Sequence, residues 1–362
     1  MPKKIAVIST YPKQGSKNIG DQLITRAVVD LLKKHHQDAV IETFWRAADW
    51  DDVKKGIEES DIIVFACLII REKMNVIEYP YIGNILDLNK PISIVSAGTS
   101  LHVHRLGQDI YNYLSQDSIE LLKKLDNVAI SFSTRGYLTQ SLCKRIGLNN
   151  VTFGGDVAFC ETKCYGKSFE KRKKIKDIVI SDPHHEEFYL KSFLTLIEEV
   201  KISFPDSNIK IALHGVNRLI ENFARENDIP YIRIYEDPEA GLRVYDQVDM
   251  HIGFRVHAHV SALARRKYSY LLEQDGRGGE YGLTIDKRIS TPNFRTMSMN
   301  PLRRILHKIR LVNNITVDTI PAQALVAMIK QDEAQGFEKF IGLEHKLDEF
   351  SDNINNQIKT LI

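Results

Sequence analysis

Along the first half of the chain, short apolar runs alternate with segments whose apolar residues recur every three or four positions. KIAVIST (4–10), DAVIETF (38–44), DIIVFACLII (61–70), PISIVSAG (91–98), NVAISF (127–132) and NVTFGGD (150–156) read as strands. AVVDLLKKHH (27–36) and DWDDVKKGIEES (49–60) carry helical spacing. Short strands separated by helices of this length predict parallel βαβ units.

A charged stretch, GKSFEKRKKIKD (166–177), interrupts the rhythm and marks a linker. The pattern then restarts with DIVISD (177–182), a helix over 187–203, NIKIALHG (208–215), a helix over 216–226, IPYIRIY (229–235), QVDMHIGF (247–254) and KYSYLLEQD (267–275). The expected fold is therefore α/β: two Rossmann-like lobes with a central cleft, followed by C-terminal helices. The expected boundaries are 1–168, 169–290 and 291–362. In sheets of this kind ligands sit outside the carboxyl ends of the strands.

The tail contains two amphipathic segments. In NPLRRILHKIRLV (300–312), Leu302, Ile305, Leu306 and Ile309 share one face, with Arg303, Arg304, His307, Lys308 and Arg310 elsewhere around it. Such a helix either packs on its own domain or lies on an anionic membrane surface. Further on, Phe340, Leu343, Leu347, Phe350, Ile354 and Leu361 follow helical spacing, which suits either a terminal helix docked on the lobes or a contact between copies of the chain.

Composition narrows the picture. With 49 Lys and Arg against 47 Asp and Glu in 362 residues, nothing in the overall charge points to nucleic acid, so a basic site must be local. Four cysteines, Cys67, Cys143, Cys160 and Cys164, are too few for a disulfide scaffold. Neither the first residues nor the longest apolar run has the pattern of a signal peptide or a membrane span, and the expectation is a reduced, cytoplasmic protein.

Three constellations carry candidate chemistry. The loop after the first strand, KQGSKNIGD (13–21), lacks both the G-x-G-x-x-G and the P-loop spacing, yet it feeds a helix. Asn18 and Gly20 there offer helix-start groups to an anion or a sugar hydroxyl, and Asn18 or Asp21 would equally serve as caps. In ISFSTRGYLTQSL (130–142), Arg135 falls where a strand meets a helix, a position suited to a carboxylate or phosphate; in GGDVAF, Asp156 ends another strand as a turn cap or a base. The densest is GFRVHAHVSALA (253–264), which sets Arg255, His257 and His259 into five residues at a strand–helix junction. Arg255 can fork onto two anionic oxygens and His257 can exchange a proton near neutral pH. His251, His257 and His259 would be metal ligands only if further donors joined them, because no carboxylate is interleaved.

Taken in order, NIGDQLI (18–24), STRGYLTQSL (133–142), GGDVAF (154–159), GFRVHAHVSALA and LEQDGRGGEYGL (272–283) resemble the polysaccharide pyruvyl transferase family. The resemblance implies a GT-B-like two-lobed fold. It also implies transfer of pyruvate from phosphoenolpyruvate to a sugar residue of a polysaccharide or glycan precursor, as a cyclic ketal, with no metal or nucleotide cofactor. On this resemblance Arg135 and Arg255 bind the donor, His257 is the acid, and the D-x-R-G continuation adds Asp275 and Arg277 as substrate contacts. Asp21 or Asp156 would take the acceptor's proton, and a lipid-linked acceptor would bring the enzyme to the inner membrane face. Two other readings use the same fold: a glycosyltransferase with a nucleotide-sugar donor, contacting the ribose through Glu273 or Asp275, and a non-catalytic scaffold.

Overall fold

The computed structural model describes residues 2–11, 19–100, 113–161, 164–171, 174–285, 288–293, 295–297, 300–309 and 315–361. It divides into two compact units. The first comprises Met1–Lys167, Gly279–Asp286 and Gly342–Ile362, and the second comprises Ser168–Gly278 and Lys287–Ile341.

In chain order the first unit contains β1 (Lys4–Ser9), α1 (Ile19–His35), β2 (Val40–Trp45), α2 (Trp50–Glu58), β3 (Ile62–Ala66), β4 (Ile69–Ile70), α3 (Ile82–Asp87), β5 (Ile92–Thr99), α4 (Gln116–Val128), β6 (Ala129–Thr134), α5 (Tyr137–Arg145) and β7 (Thr152–Phe153). Among the described residues its strands run β2-β1-β3-β5-β6-β7, with β4 beside β5, and every pairing is parallel. β1, β3 and β5 are apolar along nearly their whole length because helices cover both faces of the sheet, and a core lies on each side. The run expected as one strand over 61–70 breaks at Cys67, whose backbone is left-handed at φ 62°, and so becomes β3 and β4. The strand expected over 150–156 stops at Phe153, because Gly155 turns the chain at φ 92°.

The second unit contains β8 (Asp177–Ser181), α6 (Glu186–Ser203), β9 (Asn208–Leu213), α7 (Arg218–Glu226), β10 (Tyr231–Arg233), α8 (Pro238–Leu242), α9 (Val244–Gln247), β11 (Met250–Gly253), α10 (Val256–Ala264) and β12 (Tyr268–Glu273). α11 (Gly276–Ile285) begins in this unit and ends in the first. β13 (Ser290–Pro292), β14 (Thr296–Met297), α12 (Pro301–Lys308), β15 (Ile315–Thr316) and α13 (Ile320–Ala334) follow in the second unit, and α14 (Leu343–Lys359) in the first. The main sheet runs β10-β9-β8-β11-β12-β13, again parallel throughout. Connections leave β8 toward β9 on one side and β11 toward β12 on the other. The β8/β11 boundary is thus the topological switch point, where such sheets place their ligands beyond the strand ends.

The tail does not form a third domain, contrary to the boundary expected at residue 291. α13 packs along α6 through Leu325, Val326 and Ile329, so it completes the second unit. α14 lays Leu347, Phe350, Ile354 and Ile358 on α1 and the first sheet, and Gln357 Nε2 donates to the Ile94 carbonyl at 2.9 Å. Its apolar face is consumed inside the first unit, which removes the surface on which a contact between copies of the chain was expected. α12 behaves in the opposite way: Leu302, Ile305 and Ile309 are exposed rather than packed on the domain. The side chains of Arg304 and His307, and all of Arg310, lie outside the described residues.

Candidate functional site

Each unit holds an arginine at the carboxyl end of a parallel strand, and the two are treated differently. In the first unit β6 delivers Arg135. Its Nε donates to Glu280 Oε2 at 2.9 Å and its Nη2 to the Thr99 carbonyl at 2.7 Å. The side chains of Arg135 and Glu280 are 6% and 1% exposed. Glu280 also accepts the Thr139 backbone N–H at 2.8 Å and the Thr139 hydroxyl. A Cβ at Gly98 would lie 2.5 Å from the guanidinium and one at Gly136 would lie 2.4 Å from Glu280, so both glycines make room for the pair. Two of the guanidinium nitrogens expected to face a substrate are thus engaged inside the protein, Nε by the Glu280 carboxylate and Nη2 by the Thr99 carbonyl.

Asp156 sits in the same interior. Its Oδ1 accepts the Ala158 N–H at 2.8 Å, and the Tyr281 hydroxyl donates to Oδ2. Burial raises the Asp156 pKa, opposed by the nearby Arg135 charge. The turn cap, one of its two expected roles, is seen in the Ala158 contact, and the carboxyl is 1% exposed. Asp21 stands in the first turn of α1 and is partly open to solvent, with Gly20 buried beside it. Asn18 lies outside the described residues. Burial pushes the Cys67 thiol up to about 12, so it is no nucleophile at neutral pH.

The second unit's arginine is built for presentation. β11 ends in Gly253, whose φ is 148° and whose absent Cβ would lie 2.5 Å from Ser181 Oγ of neighbouring β8. This close approach carries the chain into Arg255, the residue that precedes the first turn of α10. Arg255 Nε donates to Asp182 Oδ1 at 3.0 Å and Nη2 to Oδ2 at 2.8 Å, a bidentate grip that fixes the plane of the guanidinium. Asp182, wholly buried, is held in turn by the His214 N–H at 3.0 Å and Asn217 Nδ2 at 3.2 Å. The third edge, Nη1, meets His184 Nδ1 at 3.2 Å, and the His184 ring is exposed to solvent. His257 follows as the second residue of α10, half-buried.

Behind this edge lies a buried polar chain. Ser181 Oγ accepts the Arg255 backbone N–H at 3.2 Å and lies 2.9 Å from His251 Nε2. Ser269 Oγ is 2.7 Å from both His251 Nδ1 and His259 Nδ1. The Ser269 hydroxyl can donate to one ring while it accepts from the other, which suits two neutral imidazoles. Burial agrees with this, lowering the His251 pKa and pushing His259 down to about 3. His251 and His259 are therefore interior groups bonded to serines. Among the described residues no cluster of three or more His, Cys, Asp or Glu could hold a metal ion.

Asp275 and Arg277 stand at the start of α11 and pair with each other, Arg277 Nε lying 3.0 Å from Asp275 Oδ2. Glu273 is buried and accepts the Ser290 hydroxyl. Pattern reading missed Asp182, His184, Glu280 and Tyr281. The signal for the first two was SDPHHEE (181–187), a Pro-His-His at the carboxyl end of a strand; Glu280 and Tyr281 stood inside the GGEYGL that was already singled out.

Known proteins place this architecture. The glycotransferase of kitacinnamycin is 12% identical with a TM-score of 0.53, the alignment covering 99% of this chain and 98% of that one. A protein described as a UDP-N-acetylglucosamine 2-epimerase from Listeria monocytogenes is 12% identical with a TM-score of 0.51, covering 93% of this chain and 97% of that one. The fold class is thus the GT-B-like pair of Rossmann-type lobes shared by glycosyltransferases and epimerases. No curated protein matches the chain significantly. The family model described as polysaccharide pyruvyl transferase matches residues 18–275, and the chain belongs to that family of transferases.

Proposed function

We propose that the protein transfers pyruvate from phosphoenolpyruvate to two hydroxyls of a sugar residue in a polysaccharide or glycan precursor, forming a cyclic ketal. The observation that carries this reading is Arg255, locked by Asp182 at the β8/β11 switch point with one edge turned toward His184. Phosphoenolpyruvate brings a phosphate and a carboxylate, about three negative charges near neutral pH, and a preset guanidinium beside a helix start suits it.

The chemistry follows from the groups. Protonated His257 gives its proton to the methylene carbon, and the double-bond electrons form that C–H bond, leaving C2 electron-poor. A sugar hydroxyl attacks C2 and gives up its proton. The bond from C2 to the phosphate oxygen then breaks, inorganic phosphate leaves, and the second hydroxyl closes the ketal. The two hydroxyl protons account for the new methyl hydrogen and for the phosphate's proton, so no cofactor is needed. Arg255 supports the charge that develops on the departing phosphate.

The test is phosphate release from phosphoenolpyruvate in the presence of glycan acceptors, with the product's mass rising by one pyruvate ketal. Thermal stabilisation by a nucleotide sugar and none by phosphoenolpyruvate would assign the chain to the glycosyltransferase reading instead. For a lipid-linked acceptor, exposed Leu302, Ile305 and Ile309 with Arg303 and Lys308 form the contact we assign to the cytoplasmic membrane face. Binding to anionic vesicles that survives replacing Leu302, Ile305 and Arg303 by alanine would remove that assignment. No described helix is long and apolar enough to cross a membrane.

A further inference from the structure

The residues that follow β8 do more than hold Arg255. Asp182 accepts two of its nitrogens and the Pro183 carbonyl accepts Nη2 at 3.2 Å, while the next side chain, His184, covers the edge that remains. A guanidinium has donors and no acceptor. Nδ1 of His184 must therefore be the acceptor, the ring neutral, and its proton on Nε2. The position is fixed rather than incidental. The His184 N–H donates to Gln274 Oε1 at 2.9 Å, and Gln274 Nε2 donates to the Phe254 carbonyl at 2.9 Å, one residue before Arg255.

The neighbourhood is cationic. Besides Arg255, the charges acting on His184 are those of His185 and Arg277, opposed by Asp275. The His185 ring stands edge-on at 4.5 Å between centroids, and it feels Arg295 and Glu187 in turn. Of the remaining carboxyls, Asp182 is spent on Arg255, and burial raises the pKa of Glu186 toward its neutral form. Desolvation first, then Arg255, His185 and Arg277, push the His184 ring down to about 4. Without an anion, His184 stays neutral because a second cation beside Arg255 is costly.

We propose that His184 is a proton-coupled contact of the anion site at Arg255. A phosphate or carboxylate oxygen enters between Nη1 and Nδ1, displaces their mutual hydrogen bond, and the imidazole takes one proton from solvent, so that both nitrogens then donate to the anion. This rests on the reading of Arg255 as the donor contact and adds a linkage to it. Anion binding and His184 protonation strengthen each other, and the site tightens as pH falls.

The experiment is calorimetric titration of the full-length chain with phosphoenolpyruvate and, separately, with sulfate, whose charge is constant over the range used. Each is run in two buffers of different ionisation enthalpy, between about pH 8 and about pH 5.5, where imidazoles titrate. In the wild type, sulfate affinity should rise on acidification by up to about tenfold per pH unit, with proton uptake on binding approaching about one. Because His184 is exposed, H184Q should fold normally, which its melting curve checks. H184Q should bind with a flat pH dependence and with heats that no longer depend on the buffer. H185Q, which removes the imidazole adjoining His184, should keep the slope. A slope equal in H184Q and wild type, or lost only in H185Q, overturns the proposal and leaves the donor reading standing. Absence of binding of either anion to the wild type at every pH overturns both.

Discussion

Arg135 and Arg255 occupy the same kind of position, the carboxyl end of a parallel strand in a Rossmann-like unit, and both are paired with buried carboxylates. Arg135 is enclosed: its side chain is 6% exposed, Glu280 takes Nε, the Thr99 carbonyl takes Nη2, and two glycines shape the space around the pair. Arg255 is 14% exposed, and the group on its third edge is an exposed imidazole rather than backbone. The partners differ as well. Asp182 takes Nε and Nη2 of Arg255 together and an exposed imidazole meets Nη1, whereas Glu280 takes only Nε of Arg135 and a backbone carbonyl takes Nη2. Exposure and an exposed neighbour, rather than a strand-end position alone, distinguish the arginine that can meet a ligand.

The comparison breaks hardest at Glu280. Removing one partner of a buried ion pair strands the other charge, and E280A should lower the unfolding free energy by about 3–5 kcal/mol in urea titrations. A loss under about 1 kcal/mol would mean that Arg135 has an escape to solvent that the geometry does not show.

Acid should act on the second unit. His214, His251 and His259 are buried with pKa values below the ordinary range, so the unfolded chain binds protons that the folded chain refuses. Their stability contribution is complete above the unfolded value of about 6.5 and is lost as pH falls toward the folded values, at up to about 1.4 kcal/mol per pH unit for each group. Urea midpoints measured at about pH 7.5 and about pH 5 should fall accordingly, and H259Q should flatten the trend. An unchanged midpoint would show these rings to be open to solvent.

R255K keeps the charge and loses the fork. Phosphoenolpyruvate binding by calorimetry should weaken about 10- to 100-fold, or about 1.4–3 kcal/mol. The smallest effect belongs to the first unit: Y281F deletes the phenol–Asp156 bond and should cost about 1–2 kcal/mol of stability with donor affinity untouched. A matching loss of donor affinity would bring Asp156 back into the chemistry.

Much of this was legible in the chain. Apolar runs such as KIAVIST and IIVFA fixed the parallel sheets, because a strand buried on both faces has no polar alternation to confuse it. Arg255 and His257 were visible because polar groups at the junction of two apolar segments need a reason. Glu280 was not, because its partner lies 145 residues away and only the fold brings them together. His184 was missed for the same cause, at a separation of 71 residues from Arg255. The tail misled because amphipathic spacing says that a face is buried and not against what: α14 returns to the first unit, while Leu302 and Ile305 of α12 remain exposed.

The central claim is that donor binding depends on Arg255, the more exposed arginine, and not on the enclosed Arg135. Calorimetric binding of phosphoenolpyruvate to the wild type, R255K and R135K, each confirmed folded by its melting curve, tests this directly. The account predicts that R255K loses most of the affinity while R135K binds as the wild type does, even though it melts earlier. Wild-type-like binding by R255K together with loss in R135K would contradict it, and would make the enclosed arginine the donor's partner.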